Sequence, residues 1–231
     1  MKVVITEKYN QGEVVANAIL DNPEKKSLKK EPYWEDKNIV VVPLQGQIFE
    51  IENVQPRHSY PQFPDIEWKV KQRYRNKYVL LGSLLTDNTL EECIIATDYD
   101  REGEIIGTLA ILLTVWKEVN YDYLNSWDVK VSRMRYSAMI EHEIKNAWDT
   151  RGEPDENLFN MGIARAEIDY RVGLNLSKGL SECIKSATNE WKTMSVGRVQ
   201  TPTLKIIHEK TKERHNFDEE EYWKAEITVS K

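Results

Sequence analysis

The sequence predicts an α/β fold, in which a mainly parallel sheet covered by helices is followed by a mostly α-helical part. Short apolar runs typical of buried strands alternate with helical patterns up to about residue 150. Beyond residue 157 the pattern stays helical to about residue 215. With 231 residues, of which 40% are hydrophobic and 30% charged, the chain is long enough to bury a core and has a globular composition.

The predicted elements follow one another in a regular order. Residues 22–37 are charged without periodicity, which predicts a surface loop, and 52–68 hold three prolines, which predicts an irregular loop. The predicted strands are 2–6, 38–44, 46–52, 93–98 and 128–137. The predicted helices are 12–21, 78–87, 103–116 and 138–150.

Two changes of pattern predict domain boundaries. The polar stretch 150–157 separates a first domain, residues 1–150, from a helical domain, residues 151–218. In "YWKAEITVS" apolar and polar residues alternate, as in a strand with one buried face. No further strand follows to pair with it, so we interpret residues 219–231 as the start of a further domain cut at Lys231.

Composition and termini exclude several classes of protein. No apolar run approaches the roughly 20 residues that cross a bilayer, and "MKVVITEK" is too short and too quickly charged for a signal peptide. The two cysteines lie far apart and predict neither a zinc site nor a disulfide framework, which favours a reducing cytoplasm. The net charge of −6 argues mildly against nucleic-acid binding by the whole surface, but a local basic groove is compatible with it.

An acidic cluster follows one of the predicted strands. In "ATDYDREGEIIG" the side chains of Asp98, Asp100, Glu102 and Glu104 come directly after "CIIA". A solvated loop is the more frequent interpretation of an arbitrary pair of acids. However, ligands bind at the carboxyl ends of parallel strands, and crowded carboxylates repel one another unless a cation is present. Because Mg²⁺ prefers oxygen ligands, the cluster predicts a magnesium site.

Strand 2–6 also ends in charged residues, Glu7 and Lys8. An isolated Glu-Lys pair at a strand end is usually a surface ion pair. If strands 2–6 and 93–98 are neighbours, however, this pair faces the acidic cluster. We then expect an acid and a cation arranged around a phosphate.

These motifs together resemble a known family. "ITEK" and "ATDYDREGEIIG" are similar to the TOPRIM domain, which has a Rossmann-like fold, and the form DxDREGE resembles that of type IA DNA topoisomerases. Residues 159–180 and 194–213 are similar to that family's helical domain, which lines a groove for single-stranded DNA. The resemblance covers the whole chain and is strongest to the archaeal and topoisomerase III-like branch.

The resemblance implies roles for the residues of the first domain. Glu7 would exchange a proton with the leaving 3′ oxygen, and Lys8 would stabilise charge on the scissile phosphate. Mg²⁺ would be held by Asp98, Asp100 and Glu102. Glu104 is expected to support the loop rather than to bind metal.

The resemblance also implies DNA contacts in the helical domain. Arg198 would contact the DNA backbone in the catalytic site, with Arg165, Asp169 and Gln200 along the same groove. From the residues alone, Arg165 and Asp169 are four apart and would more often form a surface ion pair. A helix near Arg198 is predicted to begin after Ser195 or after Thr201.

The chain departs from the family in one respect that affects catalysis. The reaction needs a tyrosine that attacks the phosphodiester, within a motif similar to Y-P-R-[ST], and this motif is absent. The Tyr-Pro at Tyr60 lacks the following Arg, and we interpret Tyr60 as a structural loop residue. Gln47 stands where relatives often have His, which argues against a proton relay there.

Three functions remain in competition. The first is an N-terminal part of a type IA topoisomerase, acting on single-stranded or negatively supercoiled DNA with the remainder of the enzyme, inactive alone and located in the cytoplasm at the nucleoid. The second is a Mg²⁺-dependent nuclease or primase. The third is a noncatalytic single-strand DNA-binding protein. "SVGRVQTPTL" favours the first, because a nuclease or primase has no need of it.

Overall fold

The computed structural model describes residues 1–53, 65–219 and 221–229. Their contacts divide the chain into two compact units, of which the first runs to Tyr170 and the second begins at Arg171. This division falls inside one long helix, Glu156–Thr188, which contributes residues to both units. The predicted domain boundary at 150–157 extends into the first residues of that helix and stays a prediction.

A six-stranded sheet forms the centre of the first unit. The strands in chain order are β1 (Lys2–Thr6), β2 (Glu24–Leu28), β3 (Glu31–Asp36), β4 (Ile39–Pro43), β5 (Phe49–Asn53), β6 (Ile66–Val70), β7 (Glu92–Ile95) and β8 (Lys130–Arg133). The sheet order is β2-β3-β4-β1-β7-β8, and β5 pairs with β6 in a separate antiparallel sheet. The strands β4, β1, β7 and β8 are parallel to one another, which confirms the predicted mainly parallel sheet.

Helices cover both faces of this sheet. The helices in chain order are α1 (Tyr9–Ile19), α2 (Arg75–Leu85), α3 (Arg101–Val115), α4 (Asp122–Asn125), α5 (Glu141–Asp149), α6 (Glu156–Thr188) and α7 (Gln200–His215). Residues of α1 to α6 contribute to the cores on the two faces, whereas α7 has no buried residue. Successive side chains of a strand point to opposite faces. Thus Val3 and Ile5 pack in the core with α2 and α3, whereas Val4 packs with α1 and α5. Both faces are buried, which explains the continuous apolar runs of the strands.

Helices of the described residues include none that combines the length and the apolar character needed to cross a membrane. The predicted helical part beyond residue 157 is confirmed by α6 and α7.

The prediction of a surface loop at 22–37 is wrong, because this segment is the β2–β3 hairpin. Its charged side chains obscure the alternation of apolar and polar residues that predicts a strand, because β2 lies at the edge of the sheet and is largely exposed. Two aromatic residues of β3 anchor the hairpin: Trp34, with only 3% of its surface exposed, packs against Tyr9, and Tyr33 packs against the core on the other face. Lys29 and Lys30 adopt positive φ angles of 50° and 71°, which reverse the chain between the strands.

Two further expectations change in the described residues. Part of the irregular segment 52–68 is strand β6, paired with β5, while 54–64 lie outside the described residues. The strand expected at 222–230 is not found over 221–229, where the side chains are exposed. Alternation alone is insufficient, because a strand also needs a neighbour for its backbone hydrogen bonds.

A buried acid, Glu92, fastens the amino-terminal end of β7. It is only 4% exposed, and its two carboxylate oxygens each lie 2.9 Å from a guanidinium nitrogen of Arg151. Ser132 donates a further hydrogen bond, and Lys2 lies 3.2 Å away. Burial acts to raise the pKa of Glu92, but these bonds outweigh it and lower the pKa to about 2.

We therefore expect the protein to lose stability at low pH as Glu92 becomes protonated. Its folded pKa of about 2 lies below the ordinary value of 4.5, so its stabilisation is present above pH 4.5 and is lost as the pH falls towards 2. Glu92→Gln should destabilise the protein at neutral pH and flatten the loss of stability between these limits. Urea unfolding across this pH range measures both effects. The exposed neighbour variant Glu91→Gln is the control, and an equal acid dependence in Glu92→Gln and wild type would contradict the assignment.

Candidate functional site

The candidate site lies at the carboxyl edge of the sheet, where β1 and β7 end side by side. Ile5 of β1 pairs with Ile95 of β7 in parallel register. Beyond these ends, Nζ of Lys8 lies 2.9 Å from Oε1 of Glu7 and 3.0 Å from Oδ2 of Asp98. The expectation that the Glu-Lys pair faces the acidic cluster is thus confirmed.

Lys8 is a fixed positive charge in this arrangement. Its hydrogen bonds to Glu7 and to Asp98 raise its pKa, so it stays protonated at neutral pH. The side chain is nevertheless 63% exposed. A positive charge that is both held in place and open to solvent is suited to meet an incoming anion.

The side chain of Gln11 links the ends of the two strands. Its Oε1 accepts a hydrogen bond from the backbone N–H of Glu7 at 2.7 Å, and its Nε2 donates to Oδ1 of Asp98 at 2.8 Å. Nε2 also lies 2.8 Å from the hydroxyl of Tyr136, which donates to the carbonyl of Ala96 at 2.5 Å. Asp98 is therefore oriented by two donors, Lys8 and Gln11.

Sequence reasoning missed both Gln11 and Tyr136. Both are buried, Gln11 on the inner face of α1 and Tyr136 in the core between α1 and α5. Burial raises the pKa of Tyr136. Gln11 lies just before the predicted first helix, residues 12–21, so the predicted pattern did not include it, whereas the observed α1 begins at Tyr9 and buries it.

The acidic loop folds tightly into the first turn of α3. Asp100 is the N-cap residue, and its Oδ1 accepts from the backbone N–H of Gly103 at 2.7 Å. A Cβ atom at Gly103 would lie 2.0 Å from the carbonyl oxygen of Asp98, so only glycine fits there. Loop and helix start are therefore one rigid unit.

A buried ion pair, Arg133 with Glu104, anchors this unit from beneath. Both side chains are fully buried, and Nε of Arg133 lies 2.8 Å from Oε2 of Glu104. The guanidinium also donates to the carbonyls of Thr97 at 2.8 Å and Asp98 at 2.6 Å. The other oxygen of Glu104 accepts from the N–H of Asp155 at 2.9 Å. The expectation that Glu104 supports the loop is confirmed.

Arg133 itself was not foreseen as part of the site. In the sequence, Arg133 occupies a position at which the alternating pattern of the predicted strand 128–137 calls for an apolar residue; this strand corresponds to β8. A charge at such a position is rarely buried without a partner. The pattern does not reveal that partner, because Glu104 lies 29 residues away in the chain.

A cleft of about 460 Å³ opens beside the first turn of α3, within the first unit. Its lining consists of Asp100, Arg101, Glu102, Ile105, Gly162, Arg165, Ala166 and Asp169. Arg165 and Asp169 form the ion pair that their spacing predicts, 3.8 Å apart and partly exposed. The cleft thus brings these two residues together with Asp100 and Glu102. Asp98 does not line the cleft and is instead hydrogen-bonded to Lys8.

The carboxylates do not form a complete metal cage. Within residues 1–53, 65–219 and 221–229, no three side chains of His, Cys, Asp or Glu are grouped to hold a metal ion. Asp98 is bonded to Lys8 and Gln11, and Asp100 uses Oδ1 as a helix cap. Mg²⁺ is commonly held by only one or two carboxylates with water and phosphate. The donor set therefore suits Mg²⁺, and the assignment to Asp98, Asp100 and Glu102 stays a prediction.

The predicted DNA contacts Arg198 and Gln200 belong to the second unit. Helix α7 begins at Gln200, between the two starts that the sequence left open, and Arg198 lies two residues before it. The preceding segment is pinned to α6, because the N–H groups of Met194 and Val196 each donate at 2.8 Å, to the Ser181 and Ser177 hydroxyls respectively. Tyr60 lies outside the described residues.

Comparisons with known proteins agree with both units. The Toprim domain model matches residues 2–137, and a DNA topoisomerase model matches residues 153–231. DNA topoisomerase 1 of Pyrococcus horikoshii is 34% identical over 100% of this chain and 34% of its own length. DNA topoisomerase 3 of Staphylococcus epidermidis is 27% identical over 98% of this chain and 30% of its own length. The chain spans about a third of the length of these relatives.

A solved structure supports the fold. Full-length topoisomerase I from Thermotoga maritima matches 94% of this chain and 31% of its own, with a TM-score of 0.60 and 19% identity.

We expect the Arg133–Glu104 pair to act as one energetic unit. Arg133→Met leaves the Glu104 charge buried without its partner and should cost about 3–5 kcal/mol of unfolding free energy. Glu104→Leu should cost a similar amount for the converse reason. The double variant Arg133→Met/Glu104→Leu should lose less than the sum, by at least about 1 kcal/mol. Urea unfolding measures all three, with the exposed Arg135→Met as the control, and additive losses would contradict the coupling.

Proposed function

Because this chain belongs to the Toprim family, in the type IA DNA topoisomerases, we propose that it supplies the phosphate-binding part of such an enzyme. The enzyme would pass DNA through a transient single-strand break held by a 5′-phosphotyrosine. The observation that carries the proposal is the cluster of Glu7, Lys8 and Asp98 at the edge of the sheet, with atoms 2.9 to 3.0 Å apart. An acid and a cation are thereby held ready beside one phosphate position.

Lys8 and Glu7 would divide the work at the scissile phosphate. The ammonium of Lys8 would bind a phosphate oxygen and stabilise the charge that develops there as the bond to the leaving oxygen breaks. Glu7 is nearly buried, and its carboxyl group would give the leaving 3′ oxygen its proton and take that proton back on rejoining. Asp98 keeps Lys8 oriented towards this position through their hydrogen bond.

The acidic loop would serve the rejoining of the strand. Asp98, Asp100 and Glu102 would hold Mg²⁺, which, when bound, neutralises phosphate charge while the broken ends are aligned. The Arg133–Glu104 pair and the Gly103 cap hold these carboxylates on a rigid support, which keeps the binding geometry constant.

Each of the two units would supply its own contacts to a DNA strand. Arg165 and Asp169 in the cleft, and Arg198 and Gln200 at the start of α7, would contact its backbone and sugars. With a net charge of −6 we expect weak and salt-dependent binding of single strands. The proposed partners are single-stranded or negatively supercoiled DNA and the remainder of the topoisomerase polypeptide, in the cytoplasm at the nucleoid.

A Mg²⁺-dependent nuclease or primase is the second candidate, because it would use the same acidic loop. The match of residues 153–231 to the DNA topoisomerase model favours the first. A nuclease would nick DNA without forming a covalent adduct, so the products distinguish the two. A noncatalytic DNA-binding protein, the third candidate, would neither nick DNA nor form a covalent adduct, whether alone or together with the rest of the topoisomerase polypeptide.

The metal assignment has a thermal test. Mg²⁺ that binds only the folded state should raise the melting temperature by mass action. We expect a small rise in the wild type at millimolar Mg²⁺, and none in Asp98→Asn/Asp100→Asn. Differential scanning fluorimetry with a Mg²⁺ titration measures this, and Asp122→Asn/Asp128→Asn, which removes two carboxylates elsewhere, is the control. A rise that persists in the first double variant would contradict the site.

The catalytic proposal is tested by adduct formation on a labelled single-stranded oligonucleotide. The 231-residue chain alone should form no phosphotyrosyl adduct, because it lacks the nucleophile motif. A second polypeptide, corresponding to the rest of the relatives' length and carrying that motif, should restore cleavage. Glu7→Gln or Lys8→Ala should then lower cleavage at least about 100-fold, whereas Asp98→Asn/Asp100→Asn should impair rejoining more than cleavage. An adduct formed by the chain alone would contradict the proposal.

A further inference from the structure

The aromatic residue Tyr99 stands exposed in the middle of the acidic loop. Its neighbours on both sides are carboxylates, Asp98 and Asp100, and 55% of its own surface is open to solvent. None of the roles described so far involves it. An exposed aromatic side chain is not unusual in itself, so its meaning depends on how the ring is supported.

The backbone at Tyr99 is a tight turn that the surrounding structure locks. The N–H of Asp100 donates to the carbonyl of Asp98 at 2.9 Å, which closes a three-residue turn with Tyr99 at its apex. Arg133 donates to the same carbonyl at 2.6 Å, and Asp100 is fixed as the cap of α3. The position from which the ring projects is therefore rigid.

The ring is held by two anchored guanidinium groups. Its centroid lies 5.9 Å from Cζ of Arg133 and 5.8 Å from Cζ of Arg135. Arg133 is bonded to Glu104, and Arg135 donates to the carbonyl of Glu153 at 2.6 Å. The two arginines already restrict the ring, so little conformational entropy is lost when a flat partner contacts it. More than half of the surface of Tyr99 remains exposed for such a contact.

We propose that Tyr99 is a stacking platform for an unpaired nucleobase of the bound strand. This inference rests on the proposed function, since it takes single-stranded DNA as the ligand. While no Mg²⁺ is bound, the carboxylates beside Tyr99 repel phosphates, so a strand that places its phosphate at Lys8 presents an uncharged group to the loop. A base is such a group, and its flat face matches the exposed ring. Tyr99 thereby sets which nucleotide lies next to the cation.

The competing explanation is that Tyr99 merely covers the guanidinium of Arg133. Such a structural role makes no distinction between DNA with and without bases. The test therefore compares binding of a labelled oligothymidylate with binding of an abasic oligomer that carries the same number of phosphates. Fluorescence anisotropy at fixed salt measures both affinities for each variant of the 231-residue chain.

A stacked base should strengthen binding by about 5- to 100-fold. Tyr99→Leu should lose that factor on the oligothymidylate and bind the abasic oligomer as the wild type does. Tyr99→Phe, which keeps the ring, should retain the factor. Tyr222→Leu removes an exposed tyrosine of the second unit and should change neither affinity. Arg198→Ala, which removes a proposed phosphate contact, should weaken both oligomers equally.

The outcomes separate this inference from the proposed function. Equal losses in Tyr99→Leu on both oligomers, or no loss on either, would overturn the stacking role while single-strand binding stands. If the unsubstituted chain binds neither oligomer, or binds duplex DNA equally well, the DNA-binding proposal falls and the stacking role falls with it. Melting temperatures confirm that each variant is folded before its affinity is compared.

Discussion

The buried pair of Arg133 and Glu104 is the interaction on which the candidate site depends. Taking two charges out of water is unfavourable unless each finds several partners. Here the guanidinium donates to Glu104 and to the carbonyls of Thr97 and Asp98, and the second oxygen of Glu104 accepts from Asp155. One pair thus connects β8, the acidic loop, α3 and the segment before α6. The backbone of the acidic loop at Thr97 and Asp98 takes its position from this support.

The charges of the site are partly balanced by the protein itself, although its carboxylates do not form a complete metal cage. Lys8 neutralises part of the charge of Glu7 and Asp98, and the N-terminus of α3 stabilises Asp100. The phosphate that we propose to bind at Lys8 would compete with these carboxylates for the same ammonium. The arrangement suits a reaction in which a cation must be held in place and yet be free to change partners, as in the reversible breaking of a phosphodiester.

Several errors of the sequence analysis have one physical origin, which is that patterns report burial rather than pairing. The β2–β3 hairpin was interpreted as a loop because its strands are charged, although its partner β4 supplies the ladder. The segment 221–229 was interpreted as a strand because it alternates, although the described residues offer it no neighbour. The presence or absence of a hydrogen-bonded neighbour, which the burial pattern does not report, decides both cases.

The sequence by itself determined the mainly parallel sheet, the helices around it, the acidic loop after β7 and the charged pair Glu7 and Lys8 after β1, whereas the pairing of β1 with β7 that makes the pair and the loop face each other is a finding of the structure. Each of the predicted features follows from local periodicity and from the rule that parallel strands end at one edge. Only the tertiary structure decided that Gln11, Tyr136 and Arg133 belong to the site, that Asp98 pairs with Lys8, and that Tyr99 is held by two arginines. These contacts join residues separated by 29 to 125 positions, and no local pattern records which of many distant partners a buried polar group will find.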